Sequence, residues 1–199
     1  RKDAVNTAIL LLQAPIIGLV LLLVFSGRVE SYFDGISWGP SALFLLVASS
    51  VWFGCSNSAR EIVGEQAIYK RERMVNLLIP SYVASKFTVL GLVCALQCGV
   101  LLGIVYPALG FDGSLYHLYL VLFLSSLAGV GMGLTLSAVV RSSEAAIALV
   151  PLMLIPQIIL GGIIMPIHEL SPPMQLASSA MVSRWGFEAA LHFEYGGDD

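Results

Sequence analysis

Charged side chains are concentrated in one segment, residues 58–86, which lies between two long apolar runs. Acidic and basic residues alternate closely along it: Arg60, Glu61, Glu65, Lys70, Arg71, Glu72, Arg73 and Lys86. Neither this segment nor the rest of the chain pairs an identifiable nucleophile with an adjacent base, as covalent catalysis requires. The chemistry that such a mixture can perform is recognition of a protein surface, where complementary charge fixes the register of two partners.

Glycine and cysteine residues suggest no other chemistry. Gly129, Gly131 and Gly133 resemble a phosphate cradle only by composition, since they lie within an apolar run, and close helix packing is the expected role. The cysteines also fall in apolar runs and are expected to be buried small hydrophobic residues: Cys55, Cys94 and Cys98. No G-x-x-x-x-G-K-[ST] phosphate loop is present. We therefore expect no catalytic residue, metal or cofactor in this chain.

The composition is that of a polytopic membrane protein. Mean hydropathy is +0.87, hydrophobic residues make up 57% of the chain and charged residues only 12%. Soluble domains carry about 25% charged residues. The formal charge of -3 is too small to indicate a nucleic-acid partner.

Five apolar runs approach the roughly 20 residues that a helix needs to cross a bilayer. They lie near residues 7–25, 40–57, 83–106, 115–140 and 145–165, and none carries a charge in its middle. We predict an all-α, polytopic helical bundle. A secondary transporter is disfavoured, because it would require intramembrane charges or a repeat between the two halves.

The distribution of basic residues predicts the orientation. With the N-terminus in the cytoplasm, the inner segments hold Arg1, Lys2, Arg60, Lys70, Arg71, Arg73, Lys86 and Arg141. Only Arg28 and Arg184 then lie outside, in agreement with the positive-inside rule. Residues 58–86 are therefore predicted to be cytoplasmic. Residues 166–195 contain three prolines and an apolar patch, and are predicted to form a hairpin dipping into the outer leaflet.

A cytoplasmic helix is predicted over residues 58–76. Ser58 and Glu61 match an S-x-x-E capping box, which would restart the helix there. Glu61, Glu65 and Glu72 fall within about 40° of one another on a helical wheel. An acidic stripe beside a basic one suits a protein partner better than a lipid surface. The alternative is a solvated charged loop.

Two motifs resemble a known family. The sequence REIVGEQAIYKRERMVNLLIPSYVASK, residues 60–86, resembles the cytoplasmic coupling segment of the ABCG (White-type) subfamily of ABC transporter membrane domains, especially its bacterial members. The sequence RWGFEAALH, residues 184–192, resembles the R-[YW]-G-F-x-A-L motif that follows the outer hairpin in this family. The order and spacing of the apolar runs agree, so that the resemblance covers nearly the whole chain.

The resemblance implies a homodimer or heterodimer of six-span halves with a cavity on the two-fold axis. Two ATPase domains, fused upstream or present as separate subunits, would hold ATP and Mg²⁺ and dock on the cytoplasmic helices. The substrate would be hydrophobic or lipid-like and pushed outward across the plasma membrane, the inner membrane in a bacterium. The family's sixth span and the ATPase domain lie outside this sequence, so it is expected to be a fragment.

The resemblance also implies residue roles. Phe53, Ile155 and Ile158 match cavity-lining positions, although ordinary helix packing is an equal alternative for each of them. Ile163 and Ile164 match the hydrophobic plug that closes the cavity toward the outside. The positions expected to couple to the ATPase are Arg60, Glu61, Glu65, Arg71, Glu72 and Arg73. A rival function is a non-transporting membrane scaffold that uses the same segment to recruit a cytoplasmic partner.

Overall fold

The computed structural model describes residues 2–25, 38–65, 78–111 and 113–196, with side chains from Leu10 onward. Within these ranges the regular structure is entirely helical, as predicted. The helices are α1 (Lys2–Phe25), α2 (Gly39–Ser58), α3 (Glu61–Gly64), α4 (Ile79–Leu109), α5 (Leu115–Val139), α6 (Ser143–Ile159), α7 (Pro172–Ser179) and α8 (Val182–Tyr195), with a 3₁₀ turn at Ile167–Glu169.

The membrane-crossing character of the bundle rests on its longest helices. By length and apolar composition, α2 with α3, α4 and α5 can each span a bilayer. The apolar parts of α1 (Leu10–Phe25) and α6 are shorter. Together these helices form a polytopic membrane bundle, which confirms the predicted fold class.

The helix α6 ends earlier than the apolar run predicts. It stops at Ile159, whereas the run continues to residue 165. Gly162 has a φ of 95°, which strongly favours glycine. A Cβ on the neighbouring Gly161 would lie 2.5 Å from Cε2 of Phe44, so the chain passes too close to α2 for a side chain here. This glycine pair turns the backbone out of the helix.

Glycines bring α2 and α5 into close contact, the most extensive helix pairing in the described structure. A Cβ on Gly129 would lie 2.5 Å from the carbonyl oxygen of Val51, and one on Gly133 would lie 2.5 Å from that of Cys55. These distances confirm close packing for both glycines. Gly131 has no atom within 4 Å of its Cβ position, so the same prediction was wrong there.

A buried polar network links α1, α2 and α4. The Nδ2 of Asn57 donates to Oε1 of Gln97 at 2.6 Å, and Nε2 of Gln97 donates to the carbonyl oxygen of Leu10 at 2.6 Å. Around it the core is apolar, and the cysteines are free thiols buried within it: Cys55, Cys94 and Cys98. The network fixes the N-terminal half of α1 against its neighbours, because a buried amide needs a hydrogen-bond partner.

Candidate functional site

The link between α2 and α3 differs from the predicted capping box. The Oγ of Ser58 donates back to the carbonyl oxygen of Gly54 at 2.7 Å and to that of Cys55 at 3.3 Å. Arg60 occupies the N-cap of α3 without a side-chain bond, and Glu61 is the first helical residue. The capping box was wrong because Ser58 still belongs to the last turn of α2, where its hydroxyl can reach carbonyl oxygens one turn back.

Lys86 binds two carboxylates of the α3 region. Its Nζ lies 2.9 Å from Oε2 of Glu61 and 2.7 Å from Oε1 of Glu65. The hydroxyl of Tyr82, one turn before Lys86, donates to the other oxygen of Glu65 at 3.0 Å. The hydrogen bond from Lys86 lowers the pKa of Glu65. Because Tyr82 and Lys86 belong to α4, these bonds tie α3 to that helix.

Ser137 holds α3 from a second side. Its Oγ accepts hydrogen bonds from the backbone N–H groups of Ile62 and Val63, both at 3.0 Å. These groups belong to the first turn of α3, where no intrahelical acceptor is available. Ser137 is fully buried in the last turn of α5. The start of the charged segment is therefore bonded to two long helices.

Only three of the six predicted coupling residues lie in the part of the chain that the structure describes. Glu61 and Glu65 are half-exposed and bonded to Lys86, whereas Arg60 is partly buried at the junction of α2 and α3. Three other predicted positions lie outside the described residues, as does most of the predicted helix over 58–76: Arg71, Glu72 and Arg73. Sequence reasoning missed Tyr82 and Ser137 as anchors, because a single hydroxyl within an apolar run carries no distinguishing signal.

The predicted cavity residues separate into two environments. Phe53 is 0% exposed and belongs to the main apolar core, so it cannot line a cavity outside this chain. Its face of α2 packs into the bundle, whereas the adjacent Trp52 is 39% exposed. On α6, Ile155 is 50% exposed and Ile158 is 43% exposed, so both are accessible to a substrate or a partner.

The predicted plug lies in the turn after α6. Ile164 is 65% exposed, and Ile163 is partly buried against the main core. Residues 166–195, the predicted outer hairpin, are tied to this region by several hydrogen bonds. Ser178 donates to the carbonyl oxygen of Leu160 at 2.8 Å, and the backbone N–H of Ser183 donates to Oε1 of Gln157 at 3.1 Å.

The R-W-G-F motif begins α8 and packs that helix against the bundle. The Nε1 of Trp185 donates to the carbonyl oxygen of Ser179 at 2.8 Å, and the Arg184 guanidinium lies 4.7 Å from the Trp185 ring centre. A Cβ on Gly186 would lie 2.7 Å from Cγ1 of Val47, so glycine permits the close approach of α8 to α2. Phe187 packs edge-on against Phe44.

The described residues contain no cluster of three or more His, Cys, Asp or Glu side chains that could hold a metal ion. The features that the structure does describe are the start of the charged segment, bonded to α4 and α5, and an accessible apolar surface on α6. These features define the class as a multi-pass helical membrane domain.

The comparisons with known proteins identify the family. The ABC-2 type transporter family matches residues 1–195, and the chain belongs to this family as a transmembrane domain, which confirms the predicted ABCG-like membrane domain. It is similar to an ABC transporter ATP-binding/permease protein of Mycobacterium tuberculosis, with 28% identity over 156 residues. The matched region covers 74% of this chain and 18% of that relative, so the chain spans less than a fifth of the relative's length.

Proposed function

We propose that this chain is the membrane-spanning part of an ATP-driven exporter of hydrophobic or lipid-like substrates. The relative is named as an ATP-binding/permease protein, which supports an ATPase domain, in the same polypeptide or a separate subunit, as the holder of ATP and Mg²⁺. Two membrane halves would form the transporter. The N-terminus would lie in the cytoplasm, and the membrane would be the plasma membrane, the inner membrane in a bacterium.

The observation that carries the proposal is the double anchoring of α3. Lys86 binds Glu61 and Glu65 from α4, and Ser137 binds the first turn of α3 from α5. A force that reaches Glu65 would therefore be passed to two membrane helices through these bonds. This is the mechanical property that a segment driven by an ATPase requires.

The exposed isoleucines of α6 support an apolar substrate surface. Ile155 and Ile158 are half-exposed, and the glycine turn after Ile159 connects α6 directly to Ile163 and Ile164. We propose that closure of the ATPase dimer pushes residues 58–76, tilts α2 and α6 and opens the Ile163/Ile164 plug. Substrate would then leave the cytoplasm or the inner leaflet toward the outside.

The proposal is tested with the complete transporter, including its ATPase domain, in proteoliposomes. Lys86→Met removes the shared partner of Glu61 and Glu65 and leaves two carboxylates facing each other. We expect ATP hydrolysis to persist while the amount of a fluorescent lipid analogue moved per ATP falls roughly tenfold, a typical magnitude for coupling between sites. Lys86→Arg should retain most of the coupling, because it keeps the positive charge.

Arg141→Gln is the matched control, because Arg141 is an exposed basic residue between α5 and α6. Normal coupling in Lys86→Met would contradict the role given to the α3 anchor. Absence of ATP-dependent transport in the wild type would contradict the exporter function itself. If a cytoplasmic partner also bound the wild type without nucleotide dependence, the membrane scaffold would take its place.

A further inference from the structure

A pocket of about 290 Å³ lies between α1, α2 and α6, beside the junction of α2 and α3. Most of its wall is apolar, formed by Trp52, Ile147, Val150 and Pro151 among others. Three polar side chains also line it: Gln13, Ser56 and Arg60. A mainly apolar pocket with a few polar groups is the usual form of a small-molecule site.

Arg60 gives the pocket its charge. Among the described residues, no ion pair or hydrogen bond of its guanidinium is found, although the side chain is partly buried. The adjacent Glu61 is bound to Lys86 at 2.9 Å and does not line the pocket. A guanidinium in an apolar wall favours an anion, because burying a charge without a counter-charge is costly.

Gln13 provides an independent observation. Its Oε1 is buried and has no hydrogen-bond partner within the described structure. Buried acceptors are seldom left unsatisfied, so a water molecule or a polar ligand group is expected beside it. The pocket therefore presents an unpaired acceptor at Gln13 and an unpaired guanidinium at Arg60. A hydrated anionic head group matches both, because its water can donate to Gln13 and its anionic oxygen can accept from Arg60, whereas bulk hydrocarbon matches neither.

We propose that this pocket binds an amphiphile with one anionic head group and an apolar tail, with the head on Arg60 and the tail against Trp52, Ile147 and Pro151. The inference rests on the proposed function, because it takes this amphiphile to be the exported substrate. It also assigns Arg60 to the ligand and not to the ATPase. A cationic amphiphile would meet a like charge, and an uncharged one would leave the guanidinium without a counter-charge.

Three single-chain probes with the same tail test the charge preference: oleyl sulfate, oleyl alcohol and an oleyl trimethylammonium salt. Equilibrium binding is measured on the complete transporter in nanodiscs, without nucleotide. We expect saturable binding of oleyl sulfate at least about tenfold tighter than that of the other two, since a charge-assisted hydrogen bond exceeds a neutral one. Equal affinity for the three head groups, or no saturable binding, would overturn the proposal.

Variants then assign the preference to Arg60. Arg60→Gln should weaken oleyl sulfate binding about tenfold and leave oleyl alcohol unchanged, whereas Arg60→Lys should retain part of the preference. Arg141→Gln, an exposed arginine outside the pocket, should bind like the wild type. Ile147→Trp, which fills the pocket, should weaken all three probes and keeps the test informative if Arg60→Gln folds poorly.

The proposal is overturned if Arg60→Gln retains the full preference for oleyl sulfate. It is also overturned if Ile147→Trp binds the probes normally, because the probes would then bind outside the pocket, as they would if a second copy of the chain filled it. Since binding is measured without ATP, its failure is distinguishable from failure of the exporter function. If the wild type binds oleyl sulfate but does not export it when ATP is added, only the exporter function is contradicted.

Discussion

Lys86 connects the charged segment to the membrane bundle through a single ammonium group. It is mostly buried on α4 and lies within hydrogen-bond distance of both Glu61 and Glu65. Two carboxylates on one lysine leave the cluster with a net negative charge, which the Tyr82 hydroxyl stabilises by donating to Glu65. The arrangement therefore depends on the ionisation of Glu65.

The pH dependence of stability tests this ion pair. Because the pKa of Glu65 is lowered from its ordinary value of 4.5 in the folded state, its contribution is present above that value and is lost as pH falls through the lower folded pKa. We expect wild type to have a higher unfolding temperature than Glu65→Gln at about pH 7. The difference should shrink as pH falls below about 4.5, measured by thermal unfolding in detergent.

Glu144→Gln serves as the control for this measurement. Glu144 is exposed in the first turn of α6, and its carboxylate has no ion pair among the described residues. The Glu144→Gln substitution removes an acidic group from the protein and leaves the bond between Glu65 and Lys86 in place. A difference between wild type and Glu65→Gln that stayed constant down to acid pH would show that the ion pair does not stabilise the fold.

Individual residue roles were predictable only where type alone decides them. The cysteines are buried, as apolar surroundings indicated. The bonds of Glu61 and Glu65 to Lys86 were not predicted. Phe53 was assigned to the wrong environment, because a uniformly apolar helix gives no periodicity that separates a core face from an accessible one. The adjacent Trp52 lies on the accessible face instead.

The pairing of α2 with α5 is the principal contact between elements. It depends on small residues because the two backbones approach closely at Gly129 and Gly133, with Gly54 opposite. In lipid the hydrophobic effect contributes little to helix association, so such close packing contributes much of the attraction. These glycines therefore allow the short distance between α2 and α5.

Gly129→Ala should destabilise the bundle, because its Cβ would lie 2.5 Å from the carbonyl oxygen of Val51 and the helices would have to separate. Overpacking of this kind costs about 1–3 kcal/mol. Gly131→Ala is the matched control one half-turn away, where nothing lies within 4 Å of the Cβ position. Equilibrium unfolding in mixed micelles measures both, and equal stability of the two variants would contradict the packing argument.

Five spans were predicted from apolar run length, and three of the described helices are long and apolar enough to cross a bilayer: α2 with α3, α4 and α5. The apolar parts of α1 and α6 are helical but shorter. Run length did not predict where α6 ends, because the turn at Gly161 and Gly162 lies inside the apolar run, at a point where Phe44 leaves no room for a side chain on Gly161. The capping box failed because Ser58 had acceptors available in the preceding turn. A tertiary contact therefore explains the first failure, whereas a competing bond within the same helix explains the second.

Across the whole molecule, the two ends of α6 have different surroundings. Its first half borders the pocket with Arg60, whereas its end is held by the hairpin through Gln157 and Ser183. Ile158 is exposed in the last turn of α6, next to Gln157. A substrate bound near α3 and moved outward along α6 would therefore meet Ile158 before it reached the turn that contains Ile163 and Ile164.

Ile158→Trp should consequently lower export of a lipid analogue several-fold in proteoliposomes, while ATP hydrolysis continues, because a larger side chain obstructs the route without touching the α3 anchor. Leu152→Trp is the control, since Leu152 is also exposed on α6 but lies about 120° away around the helix. Equal losses in both variants would indicate disturbed lipid contact instead of a blocked path. A loss confined to Ile158→Trp would instead tie outward movement to this one face of α6 and make the turn after Ile159 the place where the path opens.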